Sequence, residues 1–310
     1  MKIVFLDAST LGGTSLAPIA NLGELVTYPT STPAEALDRV SDAEVLIINK
    51  VKVTEALLAA APKLRLVCEA ATGVNNIDLE AAARRGIPVR NVAGYSTDAV
   101  VQLTFTQILG LVTGPERFDR FVKDGSYSAH PIFTEVSQPF SELAGKTLGI
   151  IGMGTIGSRV ARVAEAFGMK VIYFSTSGTS HCQDYPSVAL SELLGSSDVV
   201  SIHAPLNERT RGLIGAGELA LMKPSAILVN MARGGIVDEQ ALADAISAGT
   251  IAGAAFDVFT SEPLPADHPL LHTTRPGRLR LTPHVAWASS EALDRLVLGI
   301  AENIRKGFTA

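Results

Sequence analysis

Aromatic residues, cysteines and basic charge are all scarce in this chain, and each shortage removes a class of protein. Phe, Trp and Tyr make up 5% of 310 residues while hydrophobic residues reach 47%, so any core is aliphatic, as suits helices packed on parallel sheets. The two cysteines, Cys68 and Cys182, form neither a CxxC pair nor a disulfide framework and read as reduced thiols. A net charge of -5 leaves no basic footprint, and no Lys/Arg block compensates, so nucleic acid is not an expected partner. No stretch approaches the roughly 20 apolar residues of a membrane span. The opening MKIVFLDAS meets Asp7 too early for a secretory apolar region, so the expectation is a cytoplasmic protein with no membrane partner. The length suffices for two domains, each with a sizeable core.

What is present is alternation. Short apolar runs at Ile3 to Leu6, Val45 to Ile48, Leu64 to Cys68 and Val89 to Val92 read as strands, with helices at Ala34 to Val40, Glu55 to Ala61 and Leu79 to Arg85 between them. A second series opens with the apolar helix Asp98 to Leu111. It resumes from Lys146 with strands near Leu148, Val171, Val199, Ala226 to Asn230, Gly253 to Asp257 and Arg280 to Thr282. Strand and helix in alternation imply parallel, doubly wound sheets with right-handed crossovers. The expected architecture is α/β with two such domains: residues 1–99 plus 290–310 as a flavodoxin-like unit, and 100–289 as a dinucleotide-binding Rossmann unit, with a cleft between them. The amphipathic helix Ser290 to Lys306 is assigned to the first domain because its apolar face needs cover. Pro115 to Leu143, with Phe118, Phe121, Phe133 and Phe140 among Gly, Ser, Pro and His, fits neither series. It reads either as a dimerisation arm or as a loop folded back on its own domain.

The stretch KTLGIIGMGTIGSRVARVAEAFGMKVIYF carries the clearest chemistry. Gly152, Gly154 and Gly157 form GxGxxG between an apolar run and a helical pattern. Gly152 would permit the turn, Gly154 would let the backbone approach a pyrophosphate, and Gly157 would let helix and strand pack closely, with helix N–H groups facing the anion. At the end of the next strand, where an acid would favour NAD over NADP, stands Ser175. No Arg or Lys lies between Lys170 and the end of that loop, so hydroxyls alone leave NAD and NADP both open.

Three polar signals follow at strand ends: Asn230-Met231-Ala232-Arg233-Gly234-Gly235, Asp257-Val258-Phe259-Thr260-Ser261-Glu262-Pro263 and Thr282-Pro283-His284-Val285-Ala286-Trp287. Strand ends surround the cleft of an open parallel sheet, so an Arg, a Glu and a His far apart in sequence can converge. The set suits hydride transfer to a 2-oxo acid. Arg233 would clamp the carboxylate and polarise the carbonyl, His284 would donate the proton, and Glu262 would orient the imidazole and favour its protonated ring. Taken singly, each has a plainer reading: a surface turn, a solvated loop residue and a half-buried histidine. Asp257 is placed for a nicotinamide carboxamide. His203, before Ala204 and Pro205 and without an acidic partner, reads as cleft lining. His130, His181, His268 and His272 show no metal-ligand spacing.

With these residues in view, the chain resembles the D-isomer-specific 2-hydroxyacid dehydrogenase family over essentially its whole length. GMGTIG is similar to that family's cofactor loop, NMARGGIVDEQAL to its arginine motif, GAAFDVFTSEP to its glutamate motif, TPHVAW to its histidine motif and ATGVNNIDLEAA to its substrate loop. The resemblance implies Arg233, Glu262 and His284 as the catalytic set. It implies cofactor contacts from Thr72, Gly152, Met153, Gly154, Thr155, Ile156, Gly157, Ser175, His203, Ala204, Pro205, Met231, Ala232, Asp257 and Ala286. Substrate contacts would come from amides near Gly73 and Val74 and from Lys50, since Asn49-Lys50-Val51 is similar to the hydroxypyruvate and glycerate dehydrogenase branch. The implied enzyme is a homodimer that interconverts small 2-oxo and D-2-hydroxy acids, such as hydroxypyruvate, glyoxylate or pyruvate, with NAD or NADP and no metal. The competing reading of the same fold is a nucleotide-sensing, corepressor-like protein whose output is dimerisation.

Overall fold

The computed structural model of the chain describes residues 1–180 and 182–308; His181 lies outside the described residues. Two compact units emerge, Met1–Ser96 with Trp287–Ala310, and Thr97–Ala286. The crossings fall slightly before the expected 99/100 and 289/290. The first coincides with a helix start at Thr97. At the second, Trp287 packs edge-on against Tyr95, ring centroids 6.4 Å apart, and so joins the first unit ahead of the final helix.

In the first unit, β1 (Lys2–Phe5), α1 (Ala17–Ala20), β2 (Glu24–Thr27), α2 (Pro33–Arg39), β3 (Val45–Ile48), α3 (Glu55–Ala60), β4 (Leu66–Glu69), α4 (Leu79–Arg84) and β5 (Val89–Arg90) alternate along the chain. Their strands pair in parallel in the order β2-β1-β3-β4-β5. β3 and β4 are buried at every position, which is why they read as unbroken apolar runs. β2 escapes a sequence reading because only Leu25 and Val26 are apolar on an edge strand with exposed ends. Thr32, Thr54 and Asp78 cap α2, α3 and α4 by accepting the N3 amide, and Glu35 completes a capping box with Thr32.

The second unit contains α5 (Thr97–Thr113), α6 (Pro115–Lys123), β6 (Thr147–Ile151), α7 (Thr155–Ala166), β7 (Lys170–Phe174), α8 (Leu190–Ser196), β8 (Val199–Ile202), α9 (Ala216–Leu221), β9 (Ile227–Asn230), α10 (Glu239–Ala248), β10 (Gly253–Phe256) and β11 (Leu279–Leu281). All six strands are parallel, in the order β11-β10-β9-β8-β6-β7. From β6 the chain winds outward to β7 and then crosses to β8 on the other side. That reversal is the switch point at which ligands bind in sheets of this kind. Back in the first unit, α11 (Ser290–Phe308) buries Ala292, Leu296, Val297, Ile300, Ala301 and Ile304 against α1 and β4, one face of a 3.6-residue period.

Cys68 sits in the middle of this packing, and burial pushes its thiol up to about 12, whereas Cys182 is half-buried. Since the thiolate is the nucleophile, iodoacetamide at about pH 8 is expected to alkylate Cys182 and spare Cys68 in the folded protein, and to reach both in denaturant. Peptide mass mapping checks this; comparable native labelling of Cys68 would contradict it.

Candidate active site

The glycine motif forms the turn from β6 into α7. Gly152 has φ +94°, and a Cβ there would lie 2.9 Å from the Ala204 backbone that follows β8. A Cβ on Gly157 would lie 2.3 Å from the Gly152 carbonyl oxygen, so strand and helix meet at that point with nothing between them. Gly154 differs. It is the N-cap of the 12-residue α7, no side chain caps the helix, and nothing lies within 4 Å of the position a Cβ would take. An open space facing uncapped helix amides fits the pyrophosphate of a dinucleotide. Met153 and Ile156 are half-buried and Thr155 is exposed around the same turn.

Around this loop the other expected contacts fall as follows. Ala204 and Met231 are buried, and the Pro205 carbonyl accepts from Thr210 Oγ1 at 2.6 Å. His203 Nε2 and Ser201 Oγ are 2.8 Å apart, Nδ1 is buried without a partner, and burial lowers the imidazole to about 4. It is therefore neutral near pH 7 and unsuited to deliver a proton. Ser175 Oγ donates to the Thr179 carbonyl at 2.6 Å, and Arg209 Nη1 donates to the Ser177 carbonyl at 2.6 Å. The sequence reading missed this cation because it looked for one within the loop itself. Arg209 arrives from the turn after β8.

The three polar strand ends are built differently from one another. After β9, the Asn230 amide shapes the turn: its Oδ1 accepts the Ala232 N–H and its Nδ2 donates to the Arg233 carbonyl, both at 3.0 Å. Arg233 is half-buried, and its Nη1 donates to the Ala232 carbonyl at 2.7 Å. After β10, Glu262 is fixed at both oxygens, Oε1 accepting the Phe259 N–H at 2.9 Å and Oε2 lying 2.7 Å from His284 Nδ1. An ionised carboxylate only accepts, so Nδ1 carries the proton in that bond. The pair that had to meet does meet, across 22 residues of sequence.

His284 itself has φ +54°, the sole non-glycine residue with positive φ among the described residues. Left-handed backbone on a side chain is held only where surroundings enforce it, and it clusters at functional sites. Here Asp257 enforces it. Its carbonyl accepts the His284 N–H at 2.7 Å, while its carboxylate accepts from Thr282 Oγ1 at 2.6 Å, Val285 N at 2.9 Å and Ala286 N at 2.8 Å. Asp257 is wholly buried, and burial raises its carboxyl above the ordinary value against these bonds. Beside the carboxamide role expected from the sequence, Asp257 holds the segment that aims His284.

A further network went unread. Glu239 at the start of α10 accepts from Thr260 N at 2.7 Å, Thr260 Oγ1 at 2.9 Å and His268 Nε2 at 2.9 Å, and so anchors the loop that bears Glu262. Its only sequence signal was the acid after the Asp238 N-cap. No group of three or more His, Cys, Asp or Glu able to hold a metal occurs among the described residues.

In the first unit the switch point is closed from within. The Asp7 carboxylate, after β1, accepts the N–H groups of Asn49, Lys50 and Val51 after β3, at 2.6 to 3.1 Å. The Lys50 side chain is exposed. In the expected substrate loop, Thr72 Oγ1 donates to the Val92 carbonyl at 3.3 Å, Asn91 Nδ2 donates to the Thr72 carbonyl at 2.5 Å, and the Val74 carbonyl accepts Ile77 N–H at 3.1 Å. Gly73 lies between them. Under this loop, Glu69 ends β4 with no exposure and no hydrogen bond to either carboxyl oxygen, the Asn76 amide being engaged by the Asn49 and Val51 carbonyls.

Burial, with Asp7 adding to it, raises the Glu69 carboxyl to about 9 from an ordinary 4.5. The folded state then holds a proton that the unfolded chain releases above pH 4.5, so the penalty is absent below that value and grows until the pH passes about 9. Glu69→Gln is expected to raise Tm near pH 8, with the gain shrinking toward about pH 5. Thermal melts across this range check it, and a gain independent of pH would count against a protonated Glu69.

Residues 105–286 match the family model for the D-isomer specific 2-hydroxyacid dehydrogenase NAD binding domain. The glycerate dehydrogenase of Methylorubrum extorquens is 38% identical over 304 residues, 98% of this chain and 95% of its own. Among solved structures, D-lactate dehydrogenase from Aquifex aeolicus, complexed with NAD and lactic acid, superposes with a TM-score of 0.85 at 29% identity, covering 98% of this chain and 94% of the other. The NADPH-dependent glyoxylate/hydroxypyruvate reductase of Sinorhizobium meliloti, complexed with NADP and malonate, gives 0.84 at 26% identity, covering 100% and 94%. An open space at a helix start, a His–Glu pair on strained backbone and this breadth of match converge: the chain belongs to the D-isomer specific 2-hydroxyacid dehydrogenase family, NAD(P)-dependent oxidoreductases.

Proposed function

We propose that the protein reduces a small 2-oxo acid to the D-2-hydroxy acid, with hydroxypyruvate, glyoxylate and pyruvate as the candidate substrates. The observation that carries this reading is the 2.7 Å bond between His284 Nδ1 and Glu262 on a backbone held at φ +54°. NAD(P)H, when bound, supplies the hydride. Gly152 to Gly157, with Ser175, His203 to Pro205, Met231, Ala232, Asp257 and Ala286, form its binding surface in the second unit.

Arg233 binds the substrate carboxylate through a guanidinium that stays charged at every working pH. His284 Nε2 gives a proton to the carbonyl oxygen as negative charge develops there, and Glu262 holds the ring by Nδ1 and balances the imidazolium charge. The relatives named as glycerate dehydrogenase and glyoxylate/hydroxypyruvate reductase support a two- or three-carbon acid.

Steady-state kcat/KM for a panel of 2-oxo acids, each with NADH and NADPH, tests the proposal, and failure of every acid with both nucleotides would sink it. No observation favours the corepressor-like alternative. We further place the enzyme in the cytoplasm, in keeping with two free thiols, and read it as a homodimer. The 115–143 segment supports the latter by leaving Phe133, Val136, Phe140 and Ile132 more than half exposed. Sedimentation giving a monomer would remove that part of the reading.

A further inference from the structure

The end of β7 is where a dinucleotide fold reads the 2′ position of the adenosine ribose: a carboxylate there takes the hydroxyls and repels a phosphate, whereas an arginine accommodates the phosphate. Phe174 ends the strand, and residues 175 to 179 are Ser, Thr, Ser, Gly and Thr, with no acid among them. Two of the hydroxyls are turned inward. Ser175 Oγ and Ser177 Oγ both donate to the Thr179 carbonyl, at 2.6 and 3.0 Å, and lie 3.1 Å from each other. The loop thereby curls tightly over Gly178.

Onto this curl the structure brings a cation from elsewhere. After β8 the chain makes a turn built by its own side chains: Asn207 Oδ1 accepts the Arg209 N–H at 2.9 Å, and Thr210 Oγ1 accepts the Asn207 N–H at 2.9 Å while donating to the Pro205 carbonyl at 2.6 Å. Such an Asx-type turn fixes the base of Arg209. Its guanidinium then crosses to the β7 loop, donates from Nη1 to the Ser177 carbonyl at 2.6 Å, and comes within 3.3 Å of where a Gly178 Cβ would be.

A guanidinium carries five N–H donors in a planar fork, and one is used on Ser177. No carboxylate lies within ion-pair distance of Arg209 among the described residues. An exposed cation with no ion-pair partner, held over a loop that lacks the usual acid, is a receptor for a doubly charged phosphate.

We propose that Arg209 binds the 2′-phosphate of NADP(H) and makes NADPH the preferred reductant. The inference rests on the dinucleotide reading of the second unit and deepens it. Ser175 supplies the permissive half by withholding a carboxylate, and Arg209 supplies the attractive half. A merely structural arginine, tying one loop to another, would support both nucleotides equally, so the ratio of affinities is the discriminating quantity.

The experiment is isothermal titration of the purified protein with NADPH, NADH and the fragments 2′,5′-ADP and 5′-ADP. It is run on the natural chain and on Arg209→Ala, Arg209→Glu and Arg209→Lys, with melting curves to confirm that each folds. The natural chain is expected to bind NADPH more tightly than NADH by about tenfold to a hundredfold, the range that a charge-assisted hydrogen bond supplies. Arg209→Ala should remove most of that ratio by weakening NADPH alone, Arg209→Glu should invert it, and Arg209→Lys should keep part of it. The fragments should follow the same order. Equal loss of both nucleotides in Arg209→Ala would make the guanidinium a loop tie and overturn the proposal, as would a natural chain that prefers NADH. Binding of neither nucleotide would instead overturn the dinucleotide reading itself.

Discussion

His284→Ala is expected to lower kcat by about 10²- to 10⁴-fold, the contribution of a positioned general acid, while leaving dinucleotide affinity within about twofold of the natural value, because binding energy resides in separate contacts. Glu262 occupies Nδ1 at 2.7 Å, and Asp257 grips the backbone on both sides of the histidine. Alanine retains that backbone clamp and removes the imidazole, with its bond to Glu262. Glu262→Gln keeps the shape and removes the charge, so its kcat should fall between the two. Single-turnover hydride transfer, followed by nucleotide absorbance, separates chemistry from release. If His284→Ala kept more than about a tenth of natural kcat, the loss would be too small for a general acid, and the role would have to pass to another group.

The second large effect is expected at a residue with no chemistry at all. Gly234→Ala should cost about 3 kcal/mol or more, because overpacking that side-chain rotation cannot relieve exceeds the usual range. A Cβ on Gly234 would stand 2.0 Å from the carbonyl carbon and oxygen of Phe259 and 2.5 Å from the Thr260 nitrogen. These are backbone atoms of the loop that carries Glu262. That loop is tied down in turn by Glu239 through Thr260 and His268. The strain therefore acts on the Glu262 carboxylate as well as on stability. A drop in Tm of roughly 6–12 °C corresponds to this cost for a unit of such size, and kcat should fall with it. Gly217→Ala in α9, where nothing lies within 4 Å of the added carbon, provides the control and should be neutral or slightly stabilising. Similar melting behaviour of the two variants would show that the loops at Gly234 yield more readily than their packing implies.

Particular residues show why some of this was readable in one dimension. β3 and β10 carry unbroken apolar runs because both faces are covered. Gly152, Gly154 and Gly157 lie within six residues because a turn and its helix start are local events. Arg233, Glu262 and His284 could be suspected because each follows a strand, and strand ends share one edge of a parallel sheet. Other features had no local signature. β2 is an edge strand with two apolar residues. Glu69 reads as the polar stop of a strand, yet it is wholly buried. Glu239 finds His268 29 residues away, and Arg209 meets Ser177 across 32.

The sequence by itself determined the alternation of strands and helices, the glycine turn at a helix start and which arginine, glutamate and histidine follow strand ends. Those depend on periodicity and on backbone constraints that act over a few residues. Tertiary structure alone decided which oxygen of Glu262 meets His284, how Asp257 holds that histidine in left-handed backbone, and that a guanidinium covers the loop after β7. Each of these is a contact between chain segments set side by side by sheet order, and a distance of 3 Å between such segments leaves no trace in the spacing of letters.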